Sequence, residues 1–394
     1  MDQRITAAEA AARLGIKRET LYAYVSRGLL DSHAGADGKT STFDPVEVDA
    51  LRSRRTKPKA GRLDATILSS ITQIANQRVL VRGHDLANLA TSGAAFEAVA
   101  ALLWTGELTD PATWPRDAAL AKATLLAQRS MPDGAPLIDR LRLCVALASA
   151  SDDLRHDIQP RGVVRTAPAL IAAMVDGLPR ERPGDGSVAE RLWPALTPQR
   201  PSARWINALN GALVLLTDHD LAASTFAARV AASTRADPYS VVCAGLGAFG
   251  GPLHGAASVH AYRLLVAAHR GRASAAVGEA LGAGGTVPGF GHLLYTYADP
   301  RGQALLELIR AASPAPSRLA TCNQVLELVR TRTGIEPNVD FAIASFAFLT
   351  GMPDDAGEAI FGVARTAGWI AHALEEYREA PLRFRPVARY IGPG

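Results

Sequence analysis

Residues 245–255 read GLGAFGGPLHG. The first six match a GxGxxG pattern, so this stretch decides between a dinucleotide-binding α/β fold and something else. A dinucleotide fold needs a strand before the glycines, a helix opening on them and an acidic residue about 20 positions later. Val241, Val242 and Cys243 have the composition of a short strand, but alanine-rich helical sequence surrounds them. No Asp or Glu occurs between Gly251 and Glu279. The glycines are therefore read as permitting close helix packing and a tight bend into Gly250–Gly255, within a helical protein.

The sequence on both sides agrees. Ala95–Trp104, Leu137–Ser149, Leu213–Ala232 and Ile360–Glu376 carry apolar residues at helical spacing. Alternating Val- or Ile-rich runs are nearly absent, so the fold class expected is all-α. Residues 177–203, rich in Pro and Gly, are expected to be a long surface loop. Hydrophobic residues make up 48% and charged residues 20% of the 394 positions, which excludes a disordered chain. Cys144, Cys243 and Cys322 are far apart and form no CxxC pair, which argues against a disulfide framework or a cysteine metal site. With neither an apolar leader segment nor a run long enough to span a membrane, a soluble, cytoplasmic protein is expected.

Charge singles out the N-terminus. Residues 1–62 hold 12 Lys/Arg against 8 Asp/Glu, and the remaining residues balance at 30 against 30. Within this basic segment, Thr6 and Glu9 have capping-box spacing ahead of a first helix. Gly15 marks a turn, and residues 17–27 form a second helix ended by Gly28. Two short helices around a tight turn outline a helix-turn-helix, whose exposed side would show Arg18, Tyr22 and Ser26 to DNA. The words RLGIKRETLYAYVSRGLL resemble the MerR-type winged helix-turn-helix over about residues 4–55. The wing expected to be basic reads HAGADGKTSTFD, with Lys39 its sole cation. A docking or dimerisation appendage is the competing reading. Residues 52–62, RSRRTKPKAGR, read as a linker.

Three further words carry chemistry. His254 follows Pro252, a residue suited to the first turn of a helix, where the dipole would disfavour imidazolium. A neutral imidazole can donate one hydrogen bond to a developing oxyanion. Residues 287–301, VPGFGHLLYTYADPR, place His292 in a glycine bend ahead of Arg301. Residues 337–341, PNVDF, seat Asp340 beside apolar groups, which raises a carboxylate's pKa and basicity. Two histidines and one aspartate then supply two hydrogen-bond donors and one base. His219 lies in an Asp-His-Asp triple, but no further ligand pair supports a metal there.

These words, in this order, resemble the citrate synthases, from about residue 64 to the C-terminus. GGPLHGAA, VPGFGH…DPR and PNVDF are the three motifs. RGHDLANLA…FEAVAALLWTGEL, DHDLAASTFAARVAAST, FGVARTAGWIAHALEE and FRPVARYIG support them. The resemblance implies a large helical domain (63–256 and 351–394) and a small one (257–350), after a module at 1–55 and a linker at 56–62. It implies condensation of acetyl-CoA or propionyl-CoA with oxaloacetate, without metal or permanently bound cofactor. Asp340 would deprotonate the thioester methyl, His254 would hold the enolate oxygen, and His292 would polarise the ketone. Arg301, Arg365 and His219 would bind oxaloacetate, with Arg385 reaching in from the second subunit of a homodimer.

Three departures stand out. Leu293 and Thr296 occupy positions where bacterial relatives carry cations for the coenzyme phosphates. Ala222 replaces a usual asparagine, and Val387 a usual arginine. A metabolite-sensing DNA-binding regulator with a weak synthase body is the alternative expectation.

Overall fold

The computed structural model describes residues 4–26, 30–35, 40–45, 47–48, 66–110, 113–284, 286–295, 297–312, 315–387 and 390–392. The linker expected at 56–62, Gly28, Lys39 and Thr296 lie outside these residues. The chain divides into two compact units, Met1–Leu68 and Ser69–Gly394.

In the first unit, helices Ala7–Leu14 and Arg18–Ser26 flank a turn at Gly15, which adopts the left-handed conformation that glycine tolerates. The capping box is present: the Glu9 backbone N–H donates to the Thr6 hydroxyl, and Glu9 Oε2 accepts from the Thr6 N–H at 2.8 Å. Strands Ile5–Thr6, Ser41–Phe43 and His33–Ala34 form a small antiparallel sheet in that spatial order. Ala10, Leu14, Leu21, Leu30, Phe43 and Val48 make its core.

The second unit is mostly helical around one long helix, Ala356–Glu376, in which every residue except Glu375 is buried. A helix buried on all sides belongs at the centre of a bundle. It packs on helices Phe96–Thr105, Leu137–Ala150, Pro160–Asp176, Ala203–Leu216, Ala223–Ser233 and Pro238–Phe249. Gly245 explains part of the GxGxxG word: a Cβ there would come within 2.6 Å of the Trp369 ring. The word is helix up to Phe249, with no strand before it, so close packing is its function here.

The expected all-α class holds for the bulk of this unit, with one small addition: Thr72–Ala75, Arg78–Val81 and His84–Asp85 form an antiparallel sheet whose inward residues Val79 and Val81 join the helical core. Three expectations are corrected. Residues 177–203 are not all loop: Val188–Leu196 is a helix with a Ser187–Glu190 capping box, burying Val188, Leu192 and Trp193. Leu213–Ala232 is not one helix. It stops at Leu216 and restarts at Ala223, and the intervening residues carry Asp218 and His219. Finally, Pro252 does not open a helix: residues 252–256 are turn, and the next helix starts at Ala257.

The break at 217–222 has a packing cause. Asp218 is fully buried and accepts from the Thr72 hydroxyl at 2.5 Å, with His372 Nε2 at 3.4 Å. A continuing helix would lose these partners. Gly368 lets the turn approach the central helix, because a Cβ there would collide with the Thr217 carbonyl and lie 2.6 Å from Asp218 Oδ1. Asp220 then takes a left-handed φ of 53°. Ala222 is the N-cap of the next helix and offers no side-chain hydrogen bond. A capping residue there typically contributes about 1 kcal/mol.

Candidate active site

The glycine bend at 287–292 and the start of helix Val339–Thr350 are built as one piece. Gly289 and Gly291 have φ of 84° and 79°, and a Cβ on Gly289 would sit 2.8 Å from that of Phe341. Asn338 ties the two segments. Its backbone N–H donates to Gly289 O at 2.9 Å and its Nδ2 to Gly291 O at 2.8 Å. Its Oδ1 caps the helix by accepting from the Asp340 N–H at 2.9 Å. His292 and Asp340 thus depend on a single clamp.

The His292 ring has a defined tautomer. Nδ1 accepts from the Leu294 backbone N–H at 3.1 Å, so in the neutral ring Nε2 carries the proton. Arg301 Nη2 lies 3.5 Å from that Nε2. With Nε2 protonated, the two nitrogens are both donors, and a carbonyl or carboxylate oxygen within reach of both would satisfy them together. Burial, then the Arg301 charge, pushes the His292 pKa down. His219 packs edge-on to His292 with ring centroids 5.2 Å apart, and its Nε2 is 2.6 Å from the Tyr295 hydroxyl. Burial, followed by Arg301 and Arg365, holds His219 well below the ordinary histidine pKa.

Both arginines are buried, but they are used differently. Arg301 is chelated by Asp299, Nε to Oδ1 at 3.0 Å and Nη2 to Oδ2 at 2.8 Å. Asp299 also caps helix Pro300–Ala311 and accepts from the Val339 N–H at 3.0 Å. Arg365 donates Nε–H to Leu216 O at 2.9 Å and lies over the Phe361 ring at 4.8 Å. Its Nη2 is buried without a hydrogen-bond partner among the described residues. Such an orphan donor is costly unless a ligand satisfies it. Burial brings Arg365 down to about 10, with Asp218 opposing the shift, so it stays a cation at neutral pH.

His254 sits in the turn after helix Pro238–Phe249. The Trp369 indole N–H donates to Ser224 Oγ at 3.3 Å, and the same hydroxyl lies 2.8 Å from His254 Nε2. When the Ser224 hydroxyl donates in that contact, the His254 proton resides on Nδ1. Burial, then Arg365, lowers its pKa to about 4. Neutrality therefore comes from burial and a nearby cation, and not from a helix dipole as the position after Pro252 suggests. Asp340 is half-buried, and burial raises its pKa to about 6 against the pull of Arg301 and Arg365. All six groups (His219, His254, His292, Arg301, Arg365 and Asp340) are linked electrostatically through the two arginines.

This arrangement offers one basic carboxylate, two neutral imidazole donors and two guanidinium groups suited to a small dianion. Arg385 is not part of it within this chain: it is exposed in the segment after the central helix. Leu293 is fully exposed and Leu294 half-exposed. Among the described residues no cluster of three or more His, Cys, Asp or Glu could hold a metal. Sequence reading missed Ser224, Tyr295 and Asn338. Asn338 left a signal as a helix-capping residue directly before Val339, and Tyr295 as the third residue after His292. Ser224 left none, because its partner is 30 residues away.

Replacing Ser224 with Ala should leave the His254 ring free to rotate and to change tautomer. The expected result is a kcat about tenfold or more below the parent at nearly unchanged KM. Steady-state kinetics check this, and an unchanged kcat would dismiss the tautomer argument.

A family model described as "Citrate synthase, C-terminal domain" matches residues 64–387. Citrate synthase 2 of Bacillus subtilis is 32% identical over 349 residues, covering 82% of this chain and 93% of that protein. 2-Methylcitrate synthase 2 of Corynebacterium glutamicum is 30% identical, covering 84% and 92%. Among solved structures, one of citrate synthase from Thermoplasma acidophilum superposes with a TM-score of 0.66 at 25% identity, covering 84% of this chain and 94% of that one. That structure is a ternary complex with carboxymethyl coenzyme A and oxaloacetate.

Proposed function

The chain belongs to the citrate synthase family, and from that premise we propose that it condenses an acyl-CoA with oxaloacetate and hydrolyses the thioester to release CoA. The observation that carries this reading is the pairing of a carboxylate with pKa about 6 with neutral imidazoles and a buried, unpartnered guanidinium N–H.

Asp340 removes the α-proton of the acyl thioester. His254 donates its Nδ1–H to the enolate oxygen as charge develops there, which stabilises the transition state more than the ground state. His292 donates its Nε2–H to the oxaloacetate ketone and protonates the new alkoxide. Arg301, Arg365 and His219 hold the keto acid. Water then cleaves the thioester, giving citrate from acetyl-CoA or 2-methylcitrate from propionyl-CoA. Movement of residues 257–350 against 63–256 and 351–394 would enclose the reactants and exclude water. The acyl-CoA is a co-substrate and no permanently bound cofactor takes part.

The working unit is a homodimer in this reading, with Arg385 entering the neighbour's site. Its support is the exposure of Arg385, together with that of apolar Val387 and Ile391 on the same segment. For the first unit we propose helix-turn-helix DNA binding through Arg18 and Tyr22, both exposed on the second helix. The Ser26 hydroxyl donates to Ala23 O at 3.0 Å, which reduces its use for base reading. Titration with duplex DNA at two salt concentrations tests this, since phosphate contacts predict a steep loss of affinity with salt. The regulator alternative gains no support from relatives whose names describe synthases.

The deciding experiment is to mix the protein with oxaloacetate and either acetyl-CoA or propionyl-CoA and follow free thiol. Release with at least one is expected. No release with either overturns the reading.

A further inference from the structure

We propose that Arg383 is a positioning residue that presents Arg385 to the active site of the neighbouring copy. The inference rests on the reading of Arg385 given above.

The chain leaves the central helix at Tyr377 and returns across the surface of its own subunit. Three consecutive residues then fasten it. The Leu382 backbone N–H donates to Ser233 O at 2.8 Å. Arg383 forms a fork with Glu376, Nε to Oε1 and Nη2 to Oε2, both at 2.7 Å. Phe384 meets Phe226 edge-on at 5.3 Å, and the Arg383 guanidinium lies over the Phe384 ring at 4.7 Å.

The anchor point is itself immobilised. Glu376 is fully buried and also accepts from Arg229 Nε at 3.1 Å. Arg229 is fully buried too, and its Nη1 reaches Glu375 at 2.9 Å and His372 Nδ1 at 2.8 Å. Arg383 is itself exposed, and an ion pair between two exposed side chains would do little to hold a tail. A bidentate pair to a buried, doubly held carboxylate is geometrically specific.

Beyond this clamp the chain changes character. Arg385 is exposed and makes no hydrogen bond or ion pair with any described residue. Its Cα lies at most about 7 Å along the chain from that of Arg383. The clamp therefore sets the point from which Arg385 reaches outward. Without it, Leu382 and Phe384 alone would hold the segment, and the extra ordering needed when Arg385 engages substrate would appear as weaker binding.

The test compares Arg383→Met, Arg383→Lys and Arg385→Ala in the full-length protein by steady-state kinetics. Met keeps the apolar stem over Phe384, and Glu376 keeps Arg229, so the variant is expected to fold. Arg383→Met should raise the oxaloacetate KM about tenfold, with kcat and the acyl-CoA KM within about twofold of the parent. Arg383→Lys, with a single charged donor, should recover part of the loss. Arg385→Ala should raise the oxaloacetate KM at least as much.

If Arg385→Ala raises KM and Arg383→Met does not, the positioning role is wrong and the reading of Arg385 stands. If Arg385→Ala changes nothing, that reading falls and takes this inference with it. A parallel rise in both substrates' KM with a lowered Tm would mark Arg383 as merely structural and overturn the proposal. Should Arg383→Met be insoluble, Arg383→Lys decides: a partial rise supports the role and a parental KM refutes it.

Discussion

Replacing Asp340 with Asn is expected to lower kcat about 10³-fold with little change in either KM. Asn keeps the shape at the second position of helix Val339–Thr350 and the backbone N–H bond to Asn338. What it removes is the proposed base. Because burial raises the Asp340 pKa to about 6, its carboxylate is close to the basicity that α-proton removal needs at neutral pH. The parent enzyme should therefore lose kcat/KM below about pH 6 as this carboxylate protonates, tenfold per pH unit in the limit. The stability consequence has a definite sign. A carboxyl whose folded pKa lies above its unfolded value penalises the folded state, fully so above about pH 6, and the penalty fades as pH falls toward the ordinary aspartate range. Asp340→Asn should thus show a higher Tm than the parent at pH 8 and a smaller difference at pH 4. Thiol-release kinetics and calorimetry check both statements. A variant retaining a tenth of parental kcat would remove Asp340 from the role of base.

Replacing Arg365 with Met should raise the KM for oxaloacetate by about 10²-fold or more. Arg301 and Arg365 are both buried, yet only Arg301 already has its fork filled, by Asp299. Arg365 is held by Leu216 O and the Phe361 ring, with Nη2 unpartnered among the described residues, so it has hydrogen-bonding capacity open to a ligand. Truncation removes that donor and also takes a nearby positive charge from buried Asp218, which keeps Thr72 and His372 as partners. Arg365→Lys should be intermediate, since it keeps a cation and loses the planar fork. Oxaloacetate-dependent thermal protection should shrink in the same order. An oxaloacetate KM within threefold of the parent would show that Arg365 does not bind the substrate.

Much of the helical body was legible, because a helix that buries one face writes its period into neighbouring residues. Ala95–Trp104 and Leu137–Ser149 were located to within a residue or two of the observed Phe96–Thr105 and Leu137–Ala150. The errors occur where a distant partner outweighs local pattern. Leu213–Ala232 has helical spacing throughout, but Thr72 and His372, far away in sequence, supply partners that hold Asp218 in a turn. Residues 177–203 look like loop, but the core accepts Trp193 and Leu192, and a helix forms there. The sheet at 72–85 is short, and only its closure onto the helices makes Val79 and Val81 a buried face.

The site divides in the same way. The amino-acid sequence by itself determined which groups are available: two histidines after glycines, an aspartate after a helix-capping asparagine, and arginines within a helix or at its first turn. These identities depend on local backbone demands, such as the positive φ of Gly289 and Gly291, and so remain readable in short words. Only the tertiary structure decided their states. That His254 is neutral follows from burial and from Arg365, 111 positions away in sequence. The partner of its Nε2 is Ser224, which Trp369 holds in place. One arginine is chelated by Asp299, and the other has Asp218 near enough to support its charge but no carboxylate on its fork. Proton positions and pKa values depend on desolvation and on charges brought close by packing, and neither is a property of a local word.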